Sequence, residues 1–69
     1  MSSLKRIVVQ GGGNNLYQVR ISGRDHLVEK VAVGLISNSY QKLGRAESFD
    51  DALSIIRSHS GREIQSISR

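Results

Sequence analysis

The stretch QGGGNNL, Gln10–Leu16, separates two apolar segments and decides how the N-terminal part of the chain folds. Leu4–Gln10 contains the β-branched run Ile-Val-Val, and Leu16–Ser22 alternates apolar with polar side chains. Both patterns are typical of strands. Because Gly and Asn tolerate a positive φ, a run of them between two strands predicts the loop of an antiparallel hairpin.

The same glycines do not form a nucleotide-binding loop. A Walker loop needs a Lys-Ser/Thr pair after its glycines, whereas Asn14 and Asn15 follow here. In the dinucleotide fingerprint Gly-x-Gly-x-x-Gly, Gly11 and Gly13 fit, but Leu16 occupies the third glycine position. A strand follows instead of a helix, so no helix N-terminus is available for a phosphate. A flexible contact loop or an anion-binding nest of backbone amides remains the alternative to a plain turn.

The segment 24–43 has two possible structures, of which we favour a helix. Its apolar residues recur in pairs every four positions, which is a helical period. They are Leu27-Val28, Val31-Ala32 and Leu35-Ile36, followed by Tyr40 and Leu43. Ser22 with Asp25 resembles a capping box, and Gly44 is a suitable C-terminal stop.

The alternative for this segment is a strand hairpin. Several of its residues are β-branched or otherwise poor helix formers. The hairpin would consist of a strand over Glu29–Ser37, a turn at Asn38-Ser39 and a strand from Tyr40.

The region from Ser48 to Gly61 predicts a helix with defined ends. Ser48 is a suitable N-cap, Asp50 and Asp51 suit the positive end of the helix dipole, and Gly61 ends the helix. The inward stripe consists of Phe49, Ala52, Leu53 and Ile56, with Ile55 beside it. A final strand is predicted over residues 63–68, and its two isoleucines can share a face only through a bulge.

These elements predict one α+β domain over residues 1–69. The expected sheet is small, antiparallel and three-stranded, formed by the N-terminal hairpin and the C-terminal strand, with one or two helices packed on one face. The other face would carry Arg6, Gln18, Arg20 and Gln65. A chain of 69 residues without cysteine has a marginal core and no disulfide to support it.

The charge is unevenly distributed along the chain. The net charge is +4, with +5 in residues 1–45 and −1 in residues 46–69. Such a basic part suits a polyanion or an acidic protein surface, although it also promotes solubility. There is no apolar run of membrane-spanning length and no signal-peptide pattern, so we expect a cytoplasmic location and no membrane partner.

The residues that could carry chemistry do not form a recognisable site. His26 and His59 lie on different predicted elements, which argues against a metal site. Asp50 and Asp51 are adjacent on a helix and point about 100° apart, so they cannot converge on one substrate atom. No serine lies in Gly-x-Ser-x-Gly. We therefore expect no catalysis, no metal, no cofactor and no small-molecule substrate.

Binding is the function that remains. We expect a non-catalytic adaptor with a regulatory, inhibitory or linker role, which docks on a protein partner with an acidic surface. The residues predicted for this basic surface are Arg6, Arg20, Arg24 and Lys30, with secondary contacts from Gly11, Gly12, Gly13, Asn14 and Asn15. The alternative is a nucleic-acid-binding protein that contacts the phosphate backbone through its N-terminal hairpin. A homodimer through a sheet edge is also possible.

One family comparison concerns residues 48–67, SFDDALSIIRSHSGREIQSI. This stretch resembles the C-terminal part of the small phycobilisome linker domains, in which a helix precedes a glycine and a strand with two aliphatic residues three apart. The Arg-Met and Gly-Gly-Lys pieces of that family are missing here, so the resemblance assigns no functional residue.

Overall fold

A computed structural model of the chain describes residues 2–13 and 15–68, which form an antiparallel sheet and one helix. In chain order the elements are β1 (Ser2–Val9), β2 (Leu16–Ser22), β3 (Asp25–Ala32), β4 (Ser39–Ala46), α1 (Phe49–Ser60) and β5 (Ile64–Ser68). The strands lie in the order β4-β3-β2-β1-β5, and every neighbouring pair is antiparallel. The α+β class is confirmed, but the prediction of three strands is wrong, because the sheet has five.

The loop between β1 and β2 is the predicted hairpin turn. Gly11 and Gly13 have φ values of 99° and 68°, which favour glycine. The Asn15 side-chain amide donates to the carbonyl of Gly11 at 2.9 Å, and the Val9 amide donates to the carbonyl of Asn15 at 3.0 Å. Glycine and asparagine thus supply both the backbone geometry and the hydrogen bonds of the turn.

The helix predicted over 24–43 is wrong. The chain forms a hairpin there, with strands β3 and β4 joined by residues 33–38. The alternative prediction had the correct type of structure, but β3 ends at Ala32 and the connection lies before Ser39. The apolar pairs that recur every four residues do not lie on one helix face. Leu27 and Val28 face opposite sides of a strand, and Leu35 and Ile36 belong to the loop. β-Branched content was the better indicator.

The helix α1 has the predicted ends. The Ser48 hydroxyl accepts a hydrogen bond from the Asp51 amide at 3.1 Å, and Gly61 ends the helix with φ 69°. The Gly61 amide donates to the Arg57 carbonyl at 2.8 Å. The cap residues therefore satisfy backbone groups that the helix itself leaves unpaired.

The core lies between α1 and one face of the sheet. Its fully buried members are Ile7, Val9, Tyr17, Val19, Val28, Ala52 and Ile56. In β5, Ile64 pairs with Val9 and Ile67 with Ile7, with a register shift between them. The bulge that the isoleucine spacing requires for a shared face is present, and it directs both side chains to the helix side of the sheet.

Candidate interaction surface

The second face of the sheet is not covered by α1. Directly paired residues in neighbouring strands project on the same side, so the register defines rows across the sheet. The middle row consists of Arg6, Gln18, Glu29 and Lys42. The adjacent row, further from the loop 33–38, consists of Leu4, Arg20, Leu27 and Arg45. We call the surface formed by these two rows the open face.

A bulge in β4 places two cations on the open face. The register shifts between Val28 and Glu29, so Lys42 pairs with Glu29 while Arg45 pairs with Leu27. In regular alternation, residues three apart would face opposite sides. Between them, Leu43 packs against the core, and a Cβ at Gly44 would lie 3.8 Å from Ile55 Cδ1. Leu43 and Gly44 therefore face the helix, which leaves both cations on the open face.

A buried amide and a carboxylate lie at the centre of the open face. Gln18 is only 4% exposed, and its Nε2 donates to Glu29 Oε1 at 2.7 Å. The same oxygen lies 3.7 Å from Arg20 Nη2. The Glu29 side chain is 13% exposed and that of Arg20 is 55% exposed. Within residues 2–13 and 15–68 this is the only ion pair, so Arg6, Lys42 and Arg45 present their charges without a carboxylate partner in that part of the chain.

Apolar residues border the open face on the side of the hairpin loops. Val8 pairs with Leu16, and Val31 pairs with Tyr40, one row beyond the middle row. Val31 is buried, whereas Tyr40 is 52% exposed. We call these four residues the apolar row. The uncovered side of the sheet thus combines cations with aliphatic and aromatic surface.

The structure brings together two of the four predicted basic residues. Arg6 and Arg20 lie on the open face, as expected. Arg24 lies in the exposed turn between β2 and β3. Lys30 pairs with Tyr17 and therefore projects on the helix side, so the structure does not bring it together with Arg6 and Arg20.

Sequence reasoning missed Lys42 as a member of the surface and did not select Arg45. Both lie in β4, but Lys42 belonged to the favoured helix over 24–43, Arg45 lay beyond its predicted end at Gly44, and their three-residue spacing is not strand-like. Alternation alone would have assigned only one of them to the open face, because nothing in the local pattern indicates the bulge.

The glycine loop lies at the end of the sheet and not on the open face. Its glycines, Gly11, Gly12 and Gly13, are exposed. A Cβ at Gly11 would lie 2.7 Å from Arg62 Nη1, which also donates to the Gln10 carbonyl at 3.4 Å. The loop therefore packs beside Arg62. Of the predicted loop contacts, Asn15 is used in the turn and Asn14 lies outside the described residues.

The histidines have local structural contacts. His59 Nδ1 lies 3.0 Å from the Tyr17 hydroxyl, with the two rings in an edge arrangement at 5.8 Å. Burial raises the pKa of the Tyr17 phenol, and the positive charge of Arg62 offsets part of that rise. His26 Nδ1 lies 3.1 Å from the Arg24 carbonyl in the β2–β3 turn. Among residues 2–13 and 15–68, no group of three or more His, Asp or Glu side chains is arranged to hold a metal.

Two open grooves lie along α1 where it meets β4. One, of about 440 Å³, is lined by Leu43, Ser54, Ile55, Ser58 and His59. The other, of about 490 Å³, is lined by Asp25, Arg45, Ala46, Glu47, Asp51 and Ile55. Neither is an enclosed cavity. They lie on the helix side or at the end of the sheet, away from the middle row.

The strand β4 forms one edge of the sheet and β5 the other. A bulge and outward charges are devices by which proteins block pairing at exposed edges. β4 has both, in its register shift and in Lys42 and Arg45. This edge is therefore poorly suited to the homodimer considered from the sequence.

Comparison with family models, with curated proteins and with solved structures gives no match for this chain. The resemblance of residues 48–67 to phycobilisome linker domains thus gains no support. No helix in the described part of the chain is long and apolar enough to cross a membrane.

Proposed function

We propose that this chain is a non-catalytic docking module that binds an acidic surface of a protein partner through the open face. One observation carries the proposal. Arg6, Arg20, Lys42 and Arg45 lie around the carboxylate of Glu29 on a sheet face that the helix leaves uncovered, and Asp25 lies on the same side at the far end of β3. Complementary charge of this kind steers a partner and fixes its orientation.

The residues between the cations support a protein partner more than a nucleic acid. Leu4 and Leu27 lie among the arginines, and the apolar row lies next to them. Protein interfaces combine such apolar surface with polar rims. Single-stranded nucleic acids need stacking aromatics, and Tyr40 is the one aromatic residue on this side, since Tyr17 and Phe49 pack in or against the core.

Charge reversal at Arg20 would not test this surface cleanly. A carboxylate at position 20 would lie beside Glu29, so repulsion within the sheet would complicate the result. Arg6 faces Gln18 and Arg45 faces Leu27, so Arg6→Glu/Arg45→Glu avoids the contact with Glu29. Because Arg45 also lines a groove with Asp25, Glu47 and Asp51, circular dichroism must show that the double variant is folded. The matched control is Arg24→Glu/Lys30→Glu, which changes the net charge equally but alters no residue of the open face.

A photo-crosslinking amino acid at Lys42 would identify what touches the open face in extracts of the native host. We expect a protein with an acidic contact site, whose capture is lost in Arg6→Glu/Arg45→Glu and retained in the control. A crosslinker at Ser58, on the exposed helix, should not capture that protein. Equal capture from both positions, or equal loss in both charge variants, would contradict docking through the open face.

The nucleic-acid alternative has its own measurement. Fluorescence anisotropy of labelled random duplex and single-stranded DNA and RNA should be followed at several salt concentrations. Phosphate contacts would give affinity that falls linearly with log salt, and Arg6→Glu/Arg45→Glu would reduce the slope by about two. We expect no such binding. Salt-dependent binding of this kind would indicate that the partner is a nucleic acid and not a protein.

A further inference from the structure

The loop between β3 and β4 exposes apolar side chains at one end of the sheet. Leu35 and Ile36 are fully exposed, and Val33 is 73% exposed. The chain bends at Leu35 and Ile36, and a Cβ at Gly34 would collide with the Ser37 carbonyl oxygen, so the turn is tight. We call Val33, Leu35 and Ile36 the apolar tip. It stands at the apex of the hairpin, uncovered by any part of the chain that the structure describes.

A second uncharged loop leaves the sheet at the same end. β1 and β3 run in the same direction, since both are antiparallel to β2. The first hairpin closes at the Val9–Asn15 bond, and the second closes at the Ala32–Ser39 pair. No charged residue occurs in segments 7–19 and 31–41, which include these two loops. This end of the sheet therefore has two neighbouring hairpin tips without charge.

Polarity changes in a fixed order away from the tips. The apolar row, which includes the half-exposed Tyr40, comes first. The middle row with Arg6 and Lys42 follows two residues further along the strands, at about 7 Å. Arg62 lies against the glycine loop at the same end. The cations therefore lie behind and beside the apolar surface of this uncharged end.

The acidic residues are concentrated at the opposite end. Asp25 begins β3, Glu47 follows β4, and Asp50 and Asp51 lie in the first turn of α1. In the half that contains the tips, Glu29 is engaged by Gln18 and Arg20, which leaves Glu63 as the exposed acid. The molecule thus has an apolar-tipped end where cations outnumber acids, and an opposite end where four acids lie near Arg24 and Arg45.

We propose that the end bearing the apolar tip inserts into the surface of an anionic membrane. Leu35 and Ile36 would lie at the boundary between headgroups and acyl chains, and Tyr40 would lie at the headgroup level that tyrosine favours. Arg6, Lys42 and Arg62 would lie among anionic headgroups, each contributing attraction. Both hairpin loops leave the sheet at this end and neither carries a charge, so a broad flat surface fits them better than a narrow groove that admits a single loop.

This proposal departs from the sequence-based expectation of no membrane partner. That expectation considered only spanning and signal segments, and surface insertion requires neither. The apolar tip lies outside the open face, but Arg6 and Lys42 belong to both proposed contact surfaces. Variants of the tip alter no residue of the open face, so they test the membrane proposal separately from the protein-docking function.

Tryptophan substitution tests the insertion directly, because the chain contains no tryptophan. Leu35→Trp labels the apolar tip, and Leu4→Trp, also at an exposed leucine, labels the far part of the open face. The probes are vesicles of phosphatidylcholine alone and of phosphatidylcholine mixed with phosphatidylglycerol. With the anionic vesicles we expect a blue shift and quenching by acyl-brominated lipid in Leu35→Trp, and neither effect in Leu4→Trp. An unshifted spectrum of Leu35→Trp at low salt, or equal shifts in both variants, would overturn the proposal.

Cosedimentation with the same vesicles measures the affinity. Leu35→Ser/Ile36→Ser should weaken binding at least about tenfold through lost apolar burial, while Leu4→Ser should not change it. Circular dichroism would verify that each variant is folded. Equal affinity of the double variant would mean adsorption by charge alone and would contradict insertion.

The same tryptophan variant tests whether a second copy of the chain, instead of a membrane, binds the apolar tip. A blue shift of Leu35→Trp that grows with protein concentration without lipid, together with a dimer in analytical ultracentrifugation, would assign the tip to self-association and overturn the membrane proposal. Failure with lipid, together with specific crosslinking at Lys42, would refute the membrane proposal alone.

Discussion

Gln18 Nε2 donates to Glu29 Oε1 at 2.7 Å, although both side chains lie on the sheet face that no helix covers. Gln18 is nearly inaccessible there, so the carboxylate is the partner of a buried amide as well as the counterion of Arg20. The centre of the open face is therefore fixed by hydrogen bonding, while its rim presents free cations.

Glu29→Ala should lower the free energy of unfolding by about 1–3 kcal/mol, because the buried Gln18 amide loses its acceptor. Urea denaturation followed by circular dichroism measures the change. Glu47→Ala is the matched control, since it removes the same charge from an exposed position, and its effect should stay within about 0.5 kcal/mol. Similar losses in both variants would show that the hydrogen bond does not matter for stability.

Tyr17 should ionise at a higher pH in the folded chain than in the unfolded one, where tyrosine has a pKa of about 10. Burial raises this pKa, so the folded state retains the proton more strongly. The resulting stability is present below the unfolded pKa and is lost as the pH rises through the folded pKa. Tyr40→Phe leaves Tyr17 as the only tyrosine, so tyrosinate absorbance reports this group alone.

The same titration of Tyr40→Phe in denaturant supplies the unfolded reference. Tyr17→Phe should remove the part of the stability loss at alkaline pH that comes from the phenol. The variant also loses the hydroxyl contact with His59, which should lower the free energy of unfolding by about 1 kcal/mol. Coincident titration curves for the folded and denatured Tyr40→Phe chain would refute the predicted direction.

Leu35→Ser/Ile36→Ser should leave the free energy of unfolding within about 0.5 kcal/mol of the original value, because these side chains bury nothing in the described chain. Val28→Ala, in the core, should cost roughly 1–3 kcal/mol through lost burial and a cavity. Thermal and urea melts compare the two. A large loss in the double serine variant would mean that the tip packs against the fold.

The sequence predicted elements whose signals are local. Glycines and asparagines marked the first hairpin, and Ser48 and Gly61 marked both ends of the helix. The segment 24–43 was misassigned because its apolar residues lie partly on the two faces of β3 and partly in an exposed loop, which together imitate a helical period. Leu35 and Ile36 were counted in the helical period, and nothing in their spacing showed that they lie in an exposed loop.

The candidate surface was predictable only in the strands that were correctly identified. Arg6 and Arg20 lie in β1 and β2, and both were placed on the open face. Lys30 was selected by its charge, but the side it faces depends on the register of β3 against β2. Lys42 and Arg45 required the bulge in β4, which is set by pairing with β3 and by the packing of Leu43.

The pairing of β5 with β1 has a consequence for folding kinetics. All other strand pairs join neighbours along the chain, whereas Arg6 pairs with Ser68 across nearly the whole sequence. Closing that long loop is entropically costly, so we expect the transition state to contain the four-stranded meander without β5. In stopped-flow chevrons, Ile64→Val should mainly accelerate unfolding, whereas Val19→Ala should mainly slow folding. After the meander forms and before β5 docks, β1 would be an unpaired edge with its Ile-Val-Val run exposed. We expect aggregation to start from this intermediate.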